Sequence, residues 1–134
     1  MKVLVDTHII LWALTGDDNL SKEARGILTD PANALYCSVA SAWEVTIKHM
    51  MRPDKMLMAG SELLRNVRLA GFTILPIKSD HVTALETLSR SENAPPHKDP
   101  FDRMLIAQAK AENMVFITHD SLIPQYNEAC VLPV

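Results

Sequence analysis

A chain of 134 residues with 48% hydrophobic and 22% charged residues can bury an ordinary globular core, and it reads as one domain over residues 1–134. No apolar run approaches the roughly 20 residues that span a membrane, and Asp6 interrupts the opening stretch Val3-Leu4-Val5 before it reaches signal-peptide length; the expectation is a cytoplasmic protein without membrane attachment. A net charge of −3 weighs against a broad basic nucleic-acid surface, but not against a nuclease whose acids gather in one pocket, where a bound metal reverses the local sign.

Lys2–Val5 is the first predicted strand. A helix follows from Thr7 to about Leu14, broken by Gly16-Asp17-Asp18-Asn19. Ser21 caps a second helix through Leu28, which Asp30-Pro31 ends. Leu35-Tyr36-Cys37 forms the second strand. Ser41 then opens a helix over Ala42–Met51, stopped by Pro53, and a further helix spans Ser61–Ala70 with Gly71 as its stop. Phe72–Leu75 is the third strand, closed by Pro76, and Ser79 opens a helix through about Leu88. Residues 89–98, with Ser91, Asn93, Pro95 and Pro96, have loop chemistry. Asp99-Pro100 starts a helix to about Asn113, Met114–Thr118 is the fourth strand, and Cys130-Val131-Leu132 is a short fifth. Cys37 and Cys130 form no CxxC pair and read as small buried hydrophobes.

Strands alternating with helices imply parallel pairing and right-handed crossovers. The expected fold is therefore α/β: a three-layer α/β/α sandwich around a mainly parallel sheet of four to five strands. In such sheets, ligand sites form beyond the carboxyl ends of the strands.

Four acids fall in that region. Asp6 follows the first strand, where it can also cap the next helix. Glu44, in Ser41-Ala42-Trp43-Glu44, fits a capping box, and Lys48 is placed to pair with it one turn on. Trp43 reads as a core residue rather than a base-stacking platform. In Asp99-Pro100-Phe101-Asp102, Asp99 fits the N-cap, Pro100 the first helical position and Asp102 the third; compensation of the helix dipole explains both acids without chemistry. Asp120 leaves the fourth strand, and its plain role is that of a turn aspartate before Ser121. Each acid alone has a structural explanation. Together they make a carboxylate cluster that repels itself unless a cation is bound, and hard oxygen ligands suit Mg²⁺ or Mn²⁺.

The blocks Val3-Leu4-Val5-Asp6-Thr7-His8, Ser38-Val39-Ala40-Ser41-Ala42-Trp43-Glu44-Val45, the run from His97-Lys98-Asp99-Pro100-Phe101-Asp102-Arg103 to Ala109, and Phe116-Ile117-Thr118-His119-Asp120 together resemble PIN domains, and among them the VapC-type toxins of bacterial toxin–antitoxin pairs. The resemblance covers nearly the whole chain, and its third block is the most specific. It implies a ribonuclease that uses one or two Mg²⁺ or Mn²⁺ ions, with Asp6, Glu44, Asp102 and Asp120 as an intact acidic quartet. Thr7 and Ser38 match supporting hydroxyl positions, and Asp99 belongs to a subgroup pattern. It also implies an RNA substrate, a small cognate antitoxin protein and a homodimer, for which the apolar residues of the helices between Thr7 and Leu28 are the expected interface.

Lys48, Arg52, Lys98 and Arg103 are candidate contacts to RNA phosphates, although charge alone places such residues on a solvated face. His8, His97 and His119 lie near the acids and read as structural or exposed. The competing function is a non-catalytic module that binds RNA or protein through the same pocket; metal dependence of RNA cleavage separates the two. There is no Gly-rich phosphate loop, since the chain has four glycines and none in GxGxxG or Walker spacing.

Overall fold

The computed structural model describes residues 1–134. Its strands are β1 (Lys2–Val5), β2 (Ala34–Ser38), β3 (Thr73–Leu75), β4 (Val115–Thr118) and β5 (Val131–Pro133). Its helices are α1 (Thr7–Thr15), α2 (Lys22–Thr29), α3 (Val39–Met51), α4 (Gly60–Leu69), α5 (Ser79–Ala84) and α6 (Pro100–Glu112), with 3₁₀ turns at Leu85–Thr87 and Ile123–Gln125. The strands form one sheet in the order β3-β2-β1-β4-β5, and every pairing is parallel. No helix is long and apolar enough to cross a membrane.

Period-two alternation along the strands builds a core on each face of the sheet. Val3, Val5, Cys37 and Ile117 point to one side, where Ile9 and Ile10 of α1, Ala24 of α2, Val45 of α3, and Leu63 and Val67 of α4 cover them. Leu4 and Phe116 point to the other, beneath Leu105, Ile106 and Ala109 of α6, with Ile123 and Tyr126. The result is the expected three-layer α/β/α sandwich. The chain runs β1, β2, β3 in one direction and then crosses to β4 on the far side of β1. The order therefore reverses between β1 and β4, and a crevice opens beyond their carboxyl ends.

Helix termini follow the expected chemistry at most ends. The side chains of Asp6, Ser21 and Asp99 accept hydrogen bonds from the first-turn amides of α1, α2 and α6. Gly16 and Asn113 close α1 and α6 in the left-handed region.

Three expectations are corrected. The helix expected from Ala42 begins at Val39, because the Ser38 hydroxyl, not that of Ser41, caps it by accepting from the Ala40 amide. Glu44 is therefore the sixth residue of α3, and the capping box does not exist. The helix expected to reach Leu88 ends as α5 at Ala84. The Thr87 hydroxyl takes the Ala84 carbonyl at 2.7 Å, and the chain tightens into the 3₁₀ turn. Trp43 is not in the core: it is 56% exposed and lies edge-on to Phe101, with ring centroids 5.0 Å apart. Ala40, Ala42 and Val45 take the inward-facing positions of α3.

The apolar residues Leu11, Trp12, Leu14, Ile27 and Leu28 of α1 and α2 pack against the chain's own core and stay partly exposed.

Candidate functional site

Asp6 and Thr118 stand side by side because Val5 pairs with Ile117 in the parallel register of β1 and β4. The Thr118 hydroxyl donates to Asp6 Oδ2 at 2.6 Å, and the Thr7 amide donates to Oδ1 at 2.7 Å. Both oxygens are thus fixed by neighbours, and the side chain is buried. Burial raises the Asp6 carboxyl above its ordinary value. The two hydrogen bonds and the charge of His8 oppose that rise, and the charge of Glu44 adds to it. The capping expected of Asp6 is real, and it occurs at the floor of the crevice.

Asp120 is exposed at the rim. Its amide donates to Thr118 Oγ1 at 3.1 Å, and its Oδ1 accepts from the Leu122 amide at 2.7 Å. It is therefore the turn aspartate the sequence allowed. It also lines, with Asp6, His8, Trp12 and His119, a cleft of ≈ 230 Å³. His8 and His119 are exposed, as expected. The His119 imidazole engages the Val134 carbonyl at 2.7 Å.

Glu44 comes from α3. Its Oε2 accepts from Lys48 Nζ at 2.6 Å, the pairing expected one helical turn apart. Its Oε1 is buried and has no hydrogen-bond partner. An orphaned carboxylate oxygen inside a protein costs about 1–3 kcal/mol, more when charged, unless something cationic reaches it. Burial alone would lower Lys48, but its hydrogen bond and ion pair with Glu44 outweigh this, joined by the fields of Asp99 and Asp102. Its pKa ends above the ordinary lysine value, so the ammonium holds its charge. One ammonium thus faces several acids.

Asp102, third in α6, is strongly perturbed. Burial and the charges of Asp6, Asp99, Glu44 and Asp120, in that order, push its carboxyl up to about 8. Those repulsions tie Asp102 electrostatically to the other three members of the expected quartet and to Asp99. Asp99 itself caps α6, accepting from Phe101 N at 2.9 Å and Asp102 N at 3.1 Å.

Sequence reasoning left the partners of several groups unidentified. Of the two readings of His97, structural or exposed, the structure shows the first. The His97 side chain is 4% exposed, with Nε2 3.0 Å from Asp102 Oδ2 and Nδ1 2.8 Å from the Tyr126 hydroxyl. Burial depresses its pKa, opposed by the charges of Asp120 and Asp99. Thr118 was read only as a strand residue. Gln108 accepts from the Ser38 hydroxyl at 2.5 Å, so the cap of α3 is fixed from α6. The other supporting hydroxyl, Thr7, donates to Ser41 Oγ at 2.8 Å and ties α1 to α3.

The candidate phosphate contacts are scattered. Lys48 is at the site. Arg52 pairs with exposed Asp54 and, with His8, Lys48, Met51, Lys55 and Met56, lines a neighbouring groove of ≈ 340 Å³. Arg103 is close enough for its charge to act on His97 and Tyr126, and Lys98 is exposed.

As the side chains stand, no three carboxylate, imidazole or thiol groups converge to hold an ion directly. Each acid is turned to a protein partner. Even so, the donor set fits a hard divalent cation, because Mg²⁺ takes one or two carboxylates and keeps waters elsewhere. Glu44 Oε1 and the repelled Asp102 carboxyl are the groups such a cation would satisfy.

The profile of the PIN domain matches residues 3–129, and the chain belongs to the PIN domain family. Members of this family are nucleases that generally use divalent metal ions. Among solved structures, the chain is similar to VapBC2 from Rickettsia felis bound to a DNA fragment from their promoter. The TM-score is 0.66 at 14% identity, over 100% of this chain and 98% of that one, a likeness of fold. No curated protein matches the chain.

Proposed function

We propose that this chain is a Mg²⁺- or Mn²⁺-dependent endoribonuclease and the toxin of a toxin–antitoxin pair, with Asp6, Glu44, Asp102 and Asp120 as its acidic centre. One observation carries the reading. Asp102 lies within electrostatic reach of Asp6, Glu44 and Asp120, and burial, with their charges and that of Asp99, pushes its carboxyl up to about 8. Structural capping explains Asp99 and part of Asp6; it does not explain Glu44, which sits inside its helix with one oxygen unpartnered.

When bound, a divalent cation eases deprotonation of an attacking water and neutralises charge developing on the phosphate. Glu44 and Asp102 would hold it, one ion or two, with Asp6 as the rigid third acid and Asp120 at the rim. Thr118 and Thr7 orient Asp6. Lys48 is placed to move from Glu44 to a substrate phosphate once a cation takes its place, and Arg52, Lys98 and Arg103 supply longer-range attraction for RNA.

The fold likeness to VapBC2 supports a partner protein encoded as an antitoxin, with an Arg or Lys suited to the metal-free acids. A homodimer is part of the same reading. Its face is best placed on α3, where Val39, Trp43 and Met50 are exposed at spacings of four and seven residues.

The test is RNA cleavage by the purified chain with Mn²⁺, with chelator, and by Asp102→Asn. Chelator-sensitive cleavage that the variant lacks is the expected result. Metal-independent cleavage, or RNA binding without cleavage, would replace the enzyme by a binding module.

A further inference from the structure

We propose that His97 is a positioning residue for Asp102, holding its Oδ2 so that Oδ1 is the oxygen presented to a cation. The inference rests on the reading of Asp102 as a cation ligand and adds a residue to it.

The imidazole is enclosed, with its side chain 4% exposed, and both ring nitrogens have partners: Asp102 Oδ2 at 3.0 Å and the Tyr126 hydroxyl at 2.8 Å. A carboxylate bound to a cation is ionised and can only accept, so Nε2 must carry the proton. In the neutral ring Nδ1 is then the acceptor, and the Tyr126 hydroxyl is the donor. A chain of two hydrogen bonds thus fixes ring, tautomer and carboxylate together, as hydrogen-bonded partners of metal ligands do.

Tyr126 is itself fixed. It is buried, its ring meets His97 nearly at right angles with centroids 5.5 Å apart, and the Arg90 guanidinium lies 5.1 Å from its centroid. An antiparallel bridge pairs Arg90 with Tyr126, and the Asn127 amide donates to Ser89 O at 2.9 Å. Residues 89–98 are therefore pinned to the segment beyond β4 and deliver His97 to the first turn of α6. A histidine that merely filled space would need neither hydrogen bond.

Two variants of similar polarity separate the roles. The amide nitrogen of Gln reaches the place of Nε2, and the side-chain amide of Asn only that of Nδ1. Calorimetric Mn²⁺ titration should give His97→Gln an affinity within about threefold of the native chain, and weaken His97→Asn by about 10–100-fold. Urea unfolding without metal should not distinguish the two variants. In the Mg²⁺-loaded native chain, ¹⁵N NMR of His97 should find the proton on Nε2. Native affinity in His97→Asn, or a proton on Nδ1 alone, overturns the proposal. Asp102→Asn distinguishes the failures. If it binds Mn²⁺ as the native chain does, the ligand reading is wrong and the proposal falls with it. If it binds weakly while His97→Asn does not, only the role of His97 falls.

Discussion

At Asp102 charge and burial conflict. Its carboxyl is raised from an ordinary 3.8 to about 8, so the folded chain favours its protonated form. The stability this contributes is complete below the ordinary value and is lost as pH rises through about 8. Buried Asp6 is shifted in the same direction. The metal-free protein should therefore lose more thermal stability than Asp102→Asn between pH 5 and pH 8, and Mg²⁺ should restore more of it at the upper end. Parallel melting curves for the two proteins would contradict the assignment. At Glu44 the alternative of helix capping is gone, so Glu44→Gln tests charge alone. Turnover should fall at least about tenfold, about 1.4 kcal/mol in barrier. Asp99→Ser should keep much of the activity, because serine also caps, while Asp102→Asn abolishes it. The reverse ranking in matched RNA cleavage assays would transfer the catalytic role to Asp99.

Helix α3 shows how a terminus is decided from elsewhere in the chain. Ser38 and Ser41 are both good caps by type. Ser38 wins because its hydroxyl also donates to Gln108, 70 positions away, while Ser41 accepts from Thr7, 34 positions away. Neither partner is visible in a local window, which is why the helix start and the exposure of Trp43 were not legible. The strands, the sandwich and the placement of Asp6 and Asp120 just past strand ends were legible, because apolar alternation and strand ends are local signals. His97 was not, because Tyr126 lies 29 positions away in a segment without periodicity. Ser38→Ala should cost about 2 kcal/mol in urea unfolding, since it removes a cap and leaves Gln108 Oε1 unpaired; Ser41→Ala should cost less. Where α4 crosses α3, a Cβ on Gly60 would stand 1.7 Å from Thr46 Oγ1. Gly60→Ala should therefore destabilise by about 1–3 kcal/mol, and adding Thr46→Ala should recover part of that. No recovery would place the strain in the backbone.

Across the whole molecule, the sheet order puts the reversal between β1 and β4, and the acids of both strands' carboxyl ends share one cleft. Sequence alternation alone pointed to that edge of the sheet; the chain order of the strands makes it a crevice. The exposed stripe Val39, Trp43 and Met50 on α3 lies outside it. Met50→Glu should convert a sedimenting dimer to a monomer without changing helix content; an unchanged sedimentation coefficient would remove α3 from the interface. The claim on which the rest depends is that the acid cluster is stable in its ionised form only with a cation. Mn²⁺ titration calorimetry at pH 7, in two buffers of different ionisation heat, measures affinity and proton release together. The account predicts binding that releases about one proton, chiefly from Asp102, and weaker binding without that release in Asp102→Asn. No binding by the native chain, or equal affinity and equal proton release in both, would contradict it.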